Sequence, residues 1–240
     1  MQRHQNEWRI VQQQVSDSDD DSLSFEVPTV LEEELELNAK VRRYMFRQTA
    51  QQLVVTPMLA DRPVIIRPKT PFAVQDGQEI TMYVSTPLWV RFEVGNARSK
   101  LYEVPTFRPS DTWFGSSTLS GELCYASASL GHVELENVPR RPYRAISPIR
   151  IRNRSSEPLV LERVKLPTQY LSLYRSDEDY LWTQAVILNH EQNDTVVQLG
   201  RGAPRELSRT EVVSGPRERM SRRLSMRSFG GRFWGNREVS

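Results

Sequence analysis

The sequence predicts an all-β protein: an antiparallel β-sandwich, with length enough for two packed sandwich subdomains. Three observations carry this. From Gln52 onward, short runs rich in β-branched and aromatic residues follow one another, as in QLVVTPML, PVIIRP, EITMYVS and LWVRFEV. Pro, Gly, Asn and Asp punctuate these runs about every 8–12 residues, the spacing of sandwich or barrel strands. The 15 prolines place many strand ends at sheet edges.

Glu7–Val15 reads as a first edge strand. The SDSDDDS that follows is a polar acidic loop with too little apolar surface to order itself. Residues 31–50 carry helix formers, yet Leu35, Leu37, Ala39 and Val41 alternate with polar neighbours, and the strand period is favoured. Asp76-Gly77 marks a turn before EITMYVS. Further strands are expected at Arg98–Val104, Gly121–Ala126, His132–Leu135, Ala145–Arg152, Leu159–Leu166, Tyr170–Tyr174, Leu181–Leu188 and Thr195–Leu199. Ile149 and Ile151 point to one side of their strand, Arg150 and Arg152 to the other. A turn over Asn153–Pro158 would make a hairpin that brings Arg150 near Glu162.

Beyond Gly200 the β pattern stops. Residues 201–216 read as a linker. In the tail, Met220, Leu224 and, less neatly, Met226, Phe229 and Phe233 recur at intervals of about three or four, with arginines between, which suggests a short basic amphipathic helix. Gly230-Gly231 would break it near its end. The expected organisation is an acidic, partly disordered amino-terminal segment (1–39), a sandwich region (40–200), and a linker with a basic tail (201–240).

The charge layout agrees. The formal net charge of +2 hides an asymmetry. Residues 11–39 hold nine acids (Asp17, Asp19, Asp20, Asp21, Glu26, Glu32, Glu33, Glu34 and Glu36) and no base, whereas residues 201–240 hold ten arginines against four glutamates. Such blocks usually mark solvated ends. Hydrophobic residues make up 38%, below the ~45–50% of a compact domain, so part of the chain is expected outside the core. No apolar run reaches the ~18–20 residues that span a bilayer. The amino terminus has no apolar core of a secretory signal, which points to the cytoplasm.

Several chemistries lack their residues. A single cysteine, Cys124, excludes an intramolecular disulfide and a cysteine-based zinc site. His4, His132 and His190 are too dispersed for a histidine-rich metal centre, and no cofactor is announced. No phosphate-cradling glycine loop occurs, and no G-x-S-x-G; GSSTLSG lacks the second glycine at the right place. Asp17–Asp21 opens like a calcium loop but fails at Ser22 and Pro28, where glycine and glutamate belong. Asn153-Arg154-Ser155 and Asn193-Asp194-Thr195 are short sequons of low specificity. Cys124, inside GELCYAS, reads as a buried structural thiol.

Three surfaces are candidates. Tyr102–Gly115 packs two prolines, four aromatic residues, Arg108 and Asp111 into fourteen positions. As a ligand or partner loop it would use Phe107 and Trp113 for contact, with Arg108 and Asp111 for orientation. The favoured reading is structural: a proline-stiffened loop whose aromatics cap the sandwich while Asp111 makes an Asx turn. Arg140, Arg141, Arg144, Arg150, Arg152 and Arg154 form an acid-free run, an anion site in one reading. A solvated strand face with cross-strand partners such as Glu162 is favoured. In the tail, Arg219, Arg222, Arg223, Leu224, Arg227, Phe229, Phe233 and Trp234 suit an anionic membrane or an acidic protein surface, set against a simple solvated tail.

The residues also carry a resemblance. LADRPVIIRP (59–68), YVSTPLWVRFEVG (83–95), VPTFRPSDTWFG (104–115), GELCYAS (121–127), RAISPIRIRNRS (144–155), LVLERVKLP (159–167), YLSLY and LWT (181–183) resemble prokaryotic proteins grouped as domain of unknown function 432. The likeness spans roughly residues 40–215 and is strongest at SDTWFG and GELCYAS. It implies a cytoplasmic all-β protein and carries no reaction or catalytic residue to transfer.

Together these observations favour a non-enzymatic binding or accessory protein, peripherally associated through its basic tail with anionic lipid or a membrane-protein partner. The alternative is a small-ligand binder or enzyme using residues 102–115. Nucleic-acid binding through the arginines is the weakest class, since no recognised motif accompanies them. Sandwich edges often pair, so a homodimer is the expected assembly.

Overall fold

The computed structural model describes residues 2–12, 40–48, 51–68, 70–107, 109–115, 121–192, 194–220 and 224–225. In chain order the strands are β1 (Gln2–His4), β2 (Glu7–Gln12), β3 (Lys40–Met45), β4 (Leu53–Met58), β5 (Val64–Pro68), β6 (Phe72–Val74), β7 (Glu79–Pro87), β8 (Trp89–Val94), β9 (Ser99–Pro105) and β10 (Ser110–Phe114). They continue as β11 (Glu122–His132), β12 (Arg144–Asn153), β13 (Leu159–Leu161), β14 (Val164–Leu166), β15 (Leu173–Ser176), β16 (Leu181–Thr183), β17 (Val186–Glu191), β18 (Asp194–Leu199), β19 (Thr210–Ser214) and β20 (Leu224–Ser225). The only helical turns among the described residues are 3-10 turns at Leu135–Asn137 and Thr168–Tyr170, so the protein is all-β as the sequence predicts. No helix among the described residues is long and apolar enough to cross a membrane.

The chain forms two compact units, Met1–Val55 with Arg91–Glu103, and Thr56–Val90 with Val104–Ser240. In the first unit β1, β2 and β3 make an antiparallel sheet. Its register sets Trp8 opposite Tyr44 and Ile10 opposite Arg42 on one face, with Trp8 and Ile10 buried. The Arg42 guanidinium lies 4.5 Å from the centroid of Tyr102 on β9. Glu7 points to the other face and accepts hydrogen bonds from Arg43 Nε at 2.8 Å and Nη2 at 2.5 Å. With a further bond from Arg9, these hold its carboxyl down to about 2. Gln12 pairs with Lys40, so residues 13–39 leave and rejoin this sheet at neighbouring positions.

Sheet pairing therefore crosses the boundary expected at residue 39, because Glu7–Gln12 pair with the strand that begins at Lys40. Within residues 31–50 a strand is present at Lys40–Met45, whereas Leu35, Leu37 and Ala39, whose alternation favours a strand, lie outside the described residues. The acidic residues 13–39 lie outside the described residues.

The second unit is built on a twelve-stranded sheet whose main path runs β14-β5-β11-β7-β12-β16-β15-β19, with β10 on β11 and with β17, β18 and β20 following from β12. Most pairs are antiparallel; β5–β11, β12–β16 and β12–β17 are parallel. One face of β12, β7, β5, β14 and β17 lines the main core through Ile149, Ile151, Met82, Val84, Val64, Ile66, Val164, Leu166, Val186 and Leu188. The sheet cannot be flat. Six strand spacings of ~4.8 Å would separate β14 from β15 by roughly 29 Å. Leu166 and Leu173 are joined by so few residues, three of them in a 3-10 turn, that they lie less than about 25 Å apart. The sheet therefore rolls around its core.

Its outer face is also covered in two places. Ile65, Phe114 and Cys124 form one small cluster. Val138, Ile146 and Trp182 form another, packed against Tyr83, Leu135, Tyr180 and Leu207. Burial on both faces is the usual setting of parallel strands, and β12 is buried or half-buried along its whole length.

The structure corrects the hairpin expected after Asn153. β13 pairs with β6, not with β12, whose neighbours are β7, β16 and β17. The turn itself is present: Ser155 donates to Asn153 Oδ1 from its amide at 3.0 Å and from its hydroxyl at 2.7 Å. The Asn153 amide donates to the carbonyls of Val74 at 2.9 Å and Glu157 at 2.7 Å, which ties the chain to the end of β6 instead. The expected single strands 159–166 and 181–188 are each broken in two. Two further corrections concern residues 201–240. Thr210–Ser214, expected in a linker, is a strand paired with β15. Leu224 and Ser225, expected in a helix, are extended and pair with Val197 and Val196, because the edge of β18 offers them backbone partners.

Candidate functional site

The two segments SDTWFG and GELCYAS meet. β10 pairs antiparallel with the first half of β11, setting Asp111 opposite Tyr125, Thr112 opposite Cys124, Trp113 opposite Leu123 and Phe114 opposite Glu122. Alternation then divides the pair into two faces. Asp111, Trp113, Leu123 and Tyr125 share one; Thr112, Phe114, Glu122 and Cys124 share the other.

The first face is partly open. Trp113 is 43% exposed and its cross-strand partner Leu123 is 42% exposed. Behind them the chain is held by Gly121: a Cβ there would stand 2.0 Å from the Trp113 indole nitrogen. Beside the apolar pair, Arg62 Nη1 donates to Asp111 Oδ1 at 3.3 Å, and its guanidinium lies 5.5 Å from the Tyr125 ring centroid. The Tyr125 hydroxyl donates to Asp61 Oδ1 at 2.9 Å. Burial, aided by the bond to Asp61, pushes this phenol up to about 12. Arg62 is fixed from its backbone, whose carbonyl accepts from the Thr168 hydroxyl at 2.6 Å.

On the second face Phe114 and Cys124 are buried, while Glu122 stays partly open to water. Lys165 of β14 has a side chain only 1% exposed, and its Nζ donates to Glu122 at 2.7 Å. It also lies 5.4 Å from the centroid of Phe114, over which the Arg163 guanidinium sits at 5.0 Å. Burial lowers the pKa of Lys165 against the pull of Glu122. Cys124 is fully buried, and burial pushes its thiol up to about 11. This is the inert environment expected of a structural cysteine.

The favoured structural reading of residues 102–115 thus needs correction. Ser110–Phe114 is a strand rather than a loop, and Asp111 faces Arg62. Of the aromatics, Phe114 is buried but Trp113 is not. Phe107 is half-buried, and Arg108 lies outside the described residues. Sequence reasoning missed Asp61, Arg62, Leu123 and Tyr125, because only the pairing of β10, β11 and β5 brings them beside Trp113.

The arginine run is dispersed among separate partners. Arg140 pairs with Glu178 at 2.6 Å, Arg152 with Glu79 at 2.6 Å, Arg154 with Glu191 at 3.3 Å and Arg150 with Glu206 at 3.7 Å. Arg144 donates to the Ser85 carbonyl at 3.1 Å, and Arg141 is half-buried. Glu162 is not the partner of Arg150, because β13 does not lie beside β12. The run therefore does not converge on a common anion position. In the tail, Arg219 is exposed. The side chains of Arg222, Arg223, Leu224, Arg227, Phe229, Phe233 and Trp234 lie outside the described residues.

Elsewhere, a polar hollow of about 350 Å³ opens beside Arg175, Asp179, Arg209 and Glu211. Arg175 there is paired with Glu211 and reaches Asp179 at 4.0 Å. His190 is buried, and its Nδ1 shares a 2.9 Å hydrogen bond with the Thr195 hydroxyl. Among the described residues no group of three or more His, Cys, Asp or Glu side chains is placed to hold a metal ion.

A family model described as "Protein of unknown function (DUF432)" matches residues 1–233. The chain belongs to the DUF432 family. The match extends on both sides of the 40–215 span that carries the resemblance, so β1, β2 and β20 lie within the family's region. No curated protein and no solved structure matches the chain. The open β10–β11 face of this DUF432 protein is therefore read from its own geometry. That face carries an exposed indole and leucine beside the Arg62–Asp111 ion pair.

Proposed function

We propose that this DUF432 protein is a non-enzymatic binding protein of the cytoplasm that recognises a partner through the β10–β11 face. Its basic tail associates it with anionic lipid or a membrane-protein partner. The observation that carries the reading is the cross-strand pair Trp113–Leu123, both more than two-fifths exposed, beside the Arg62–Asp111 ion pair. A Trp at the centre of a small apolar patch, oriented by a charged neighbour, is the usual composition of a binding hot spot. The nearby groups suit recognition better than reaction. The Cys124 thiol and the Tyr125 phenol are both held protonated at neutral pH, and the Lys165 amine is enclosed.

The face is tested by comparing the proteins recovered with tagged wild-type chain and with Trp113→Glu and Leu123→Glu chains expressed in the native host. Val212→Glu, at an exposed apolar residue of β19, a strand that pairs with neither β10 nor β11, is the control. The reading expects partners lost from the first two variants and kept by the control. Identical recovery in all four refutes it. The tail is tested by flotation with anionic and neutral vesicles, for the full chain and for a chain ending at Pro216. Flotation only of the full chain, only with anionic vesicles and weakened by salt, supports membrane association. No flotation of the full chain shifts the tail's role to a protein surface.

A further inference from the structure

An edge strand exposes backbone donors and acceptors that another strand can take, so folded proteins usually protect their edges. The protein protects β14, at one end of the main sheet path, with an inward-pointing charge: Lys165 is the middle residue of that strand and is buried. β10 is treated differently. Among the described residues it pairs only with β11, and Ser110–Phe114 contains neither proline nor lysine. Its one charge, Asp111, is matched by Arg62 of the same chain.

The residues on this edge are complementary to themselves. If two β10 strands meet antiparallel with Thr112 opposite Thr112 of a second copy, then Asp111 of each copy falls opposite Trp113 of the other. Ser110 falls opposite Phe114. Both relations preserve the faces set by the β10–β11 register, since Asp111 and Trp113 share one face and Ser110, Thr112 and Phe114 the other. Each exposed indole would then lie against the Arg62–Asp111 pair of the opposite copy, where an arginine guanidinium can stack on it. A two-fold axis uses each group of the patch twice, once in each direction, as a closed dimer interface requires.

We propose that the occupant of the β10 edge is a second copy of this chain, joined antiparallel about Thr112 into a symmetric dimer with a continuous sheet. This rests on the reading of the β10–β11 face as a binding surface and names its partner.

The test is the mass of the full chain in solution, measured by light scattering and sedimentation up to the highest soluble concentration. The wild type is expected at twice 27.8 kDa. Trp113→Glu and Leu123→Glu are expected at the single-chain mass under the same conditions, with circular dichroism and thermal melting verifying that each is folded. Register is read by cysteine linkage. The background carries Cys124→Ser, because Thr112 also faces Cys124 within the chain. Thr112→Cys is expected to form an interchain disulfide on mild oxidation; Ser110→Cys, opposite Phe114 of the other copy, is not. The proposal is overturned by a wild type of single-chain mass at every concentration. It is equally overturned by a dimer that survives both glutamate variants, or that links at residue 110 and not at 112. A single-chain wild type whose recovered partners still depend on Trp113 would sink the dimer alone. A single-chain wild type with no such dependence would sink the recognition face as well.

Discussion

Lys165 and Glu122 form an ion pair of unequal burial, and the inequality fixes the sign of two substitutions. The ammonium is enclosed, its side chain 1% exposed, whereas the carboxylate is 41% exposed. Glu122→Gln removes a charge that water can reach from an ammonium that water cannot. Losing one partner of a fully buried pair costs about 3–5 kcal/mol. Because water can partly take the place of Glu122, and because the Phe114 ring also faces Lys165, a loss of about 2 kcal/mol is expected. Lys165→Met keeps most of the side-chain volume and leaves Glu122 to hydration. It is expected to be neutral or stabilising by about 1–2 kcal/mol. The pH dependence has a definite sign. Burial lowers the Lys165 pKa from its ordinary 10.5, so the folded chain releases this proton before the unfolded chain does. In the window below pH 10.5 the unfolded state then holds more protons, and stability rises with pH. The advantage of Lys165→Met should shrink through that window. Urea unfolding, followed by circular dichroism from neutral to alkaline pH, measures all three quantities. A Glu122→Gln variant as stable as wild type, beside a Lys165→Met variant weakened by more than about 2 kcal/mol, would show that packing and not charge governs this position.

Other outcomes follow from single contacts. Asn153→Ala should lose about 2–3 kcal/mol in urea unfolding, since it leaves the Val74 and Glu157 carbonyls without the buried amide that now bonds both. Tyr125 should ionise near 12 in the folded protein, read by phenolate absorbance, and stability should fall as pH rises from 10 towards 12 because the unfolded phenol loses its proton first. Asp61→Asn should lower that ionisation, as it removes the carboxylate that accepts the phenolic proton; an unchanged titration would contradict the role given to Asp61. Gly121→Ala should swing the Trp113 indole off its seat, shifting its fluorescence while the melting temperature changes little. An unchanged emission would mean that Trp113 does not rest there in solution.

What the sequence showed and hid divides along physical lines. Strands such as Arg144–Asn153 and Asp194–Leu199 were legible because β-branched residues and flanking turn formers are local signals. The turn at Asp76-Gly77 was legible too, with Gly77 at a φ of +67° that its neighbours could not adopt cheaply. Pairing was not legible. Nothing within residues 149–166 says that β12 goes to β7 and β17 while β13 goes to β6, because those choices depend on surfaces buried far along the chain. Lys165 between Val164 and Leu166 reads as an ordinary polar residue facing water. It is buried because the Ile65–Phe114–Cys124 cluster covers the sheet's second face as well. Pro105 and Pro109 make Ser110–Phe114 look like a loop, although Thr112, Trp113 and Phe114 all favour strands.

The meeting of Gln12 and Lys40 bears on how this chain can be altered. Two strands already held side by side ask nothing of the peptide that joins them except that it start and finish in one place. Lengthening such a connection costs only about 0.6 kcal/mol for each doubling. By closure entropy alone, a longer or shorter peptide between Gln12 and Lys40 would close the same pair of strands at little cost. The same position is a natural socket for engineering: a foreign domain whose own termini lie close together fits between Gln12 and Lys40 without spreading the strands.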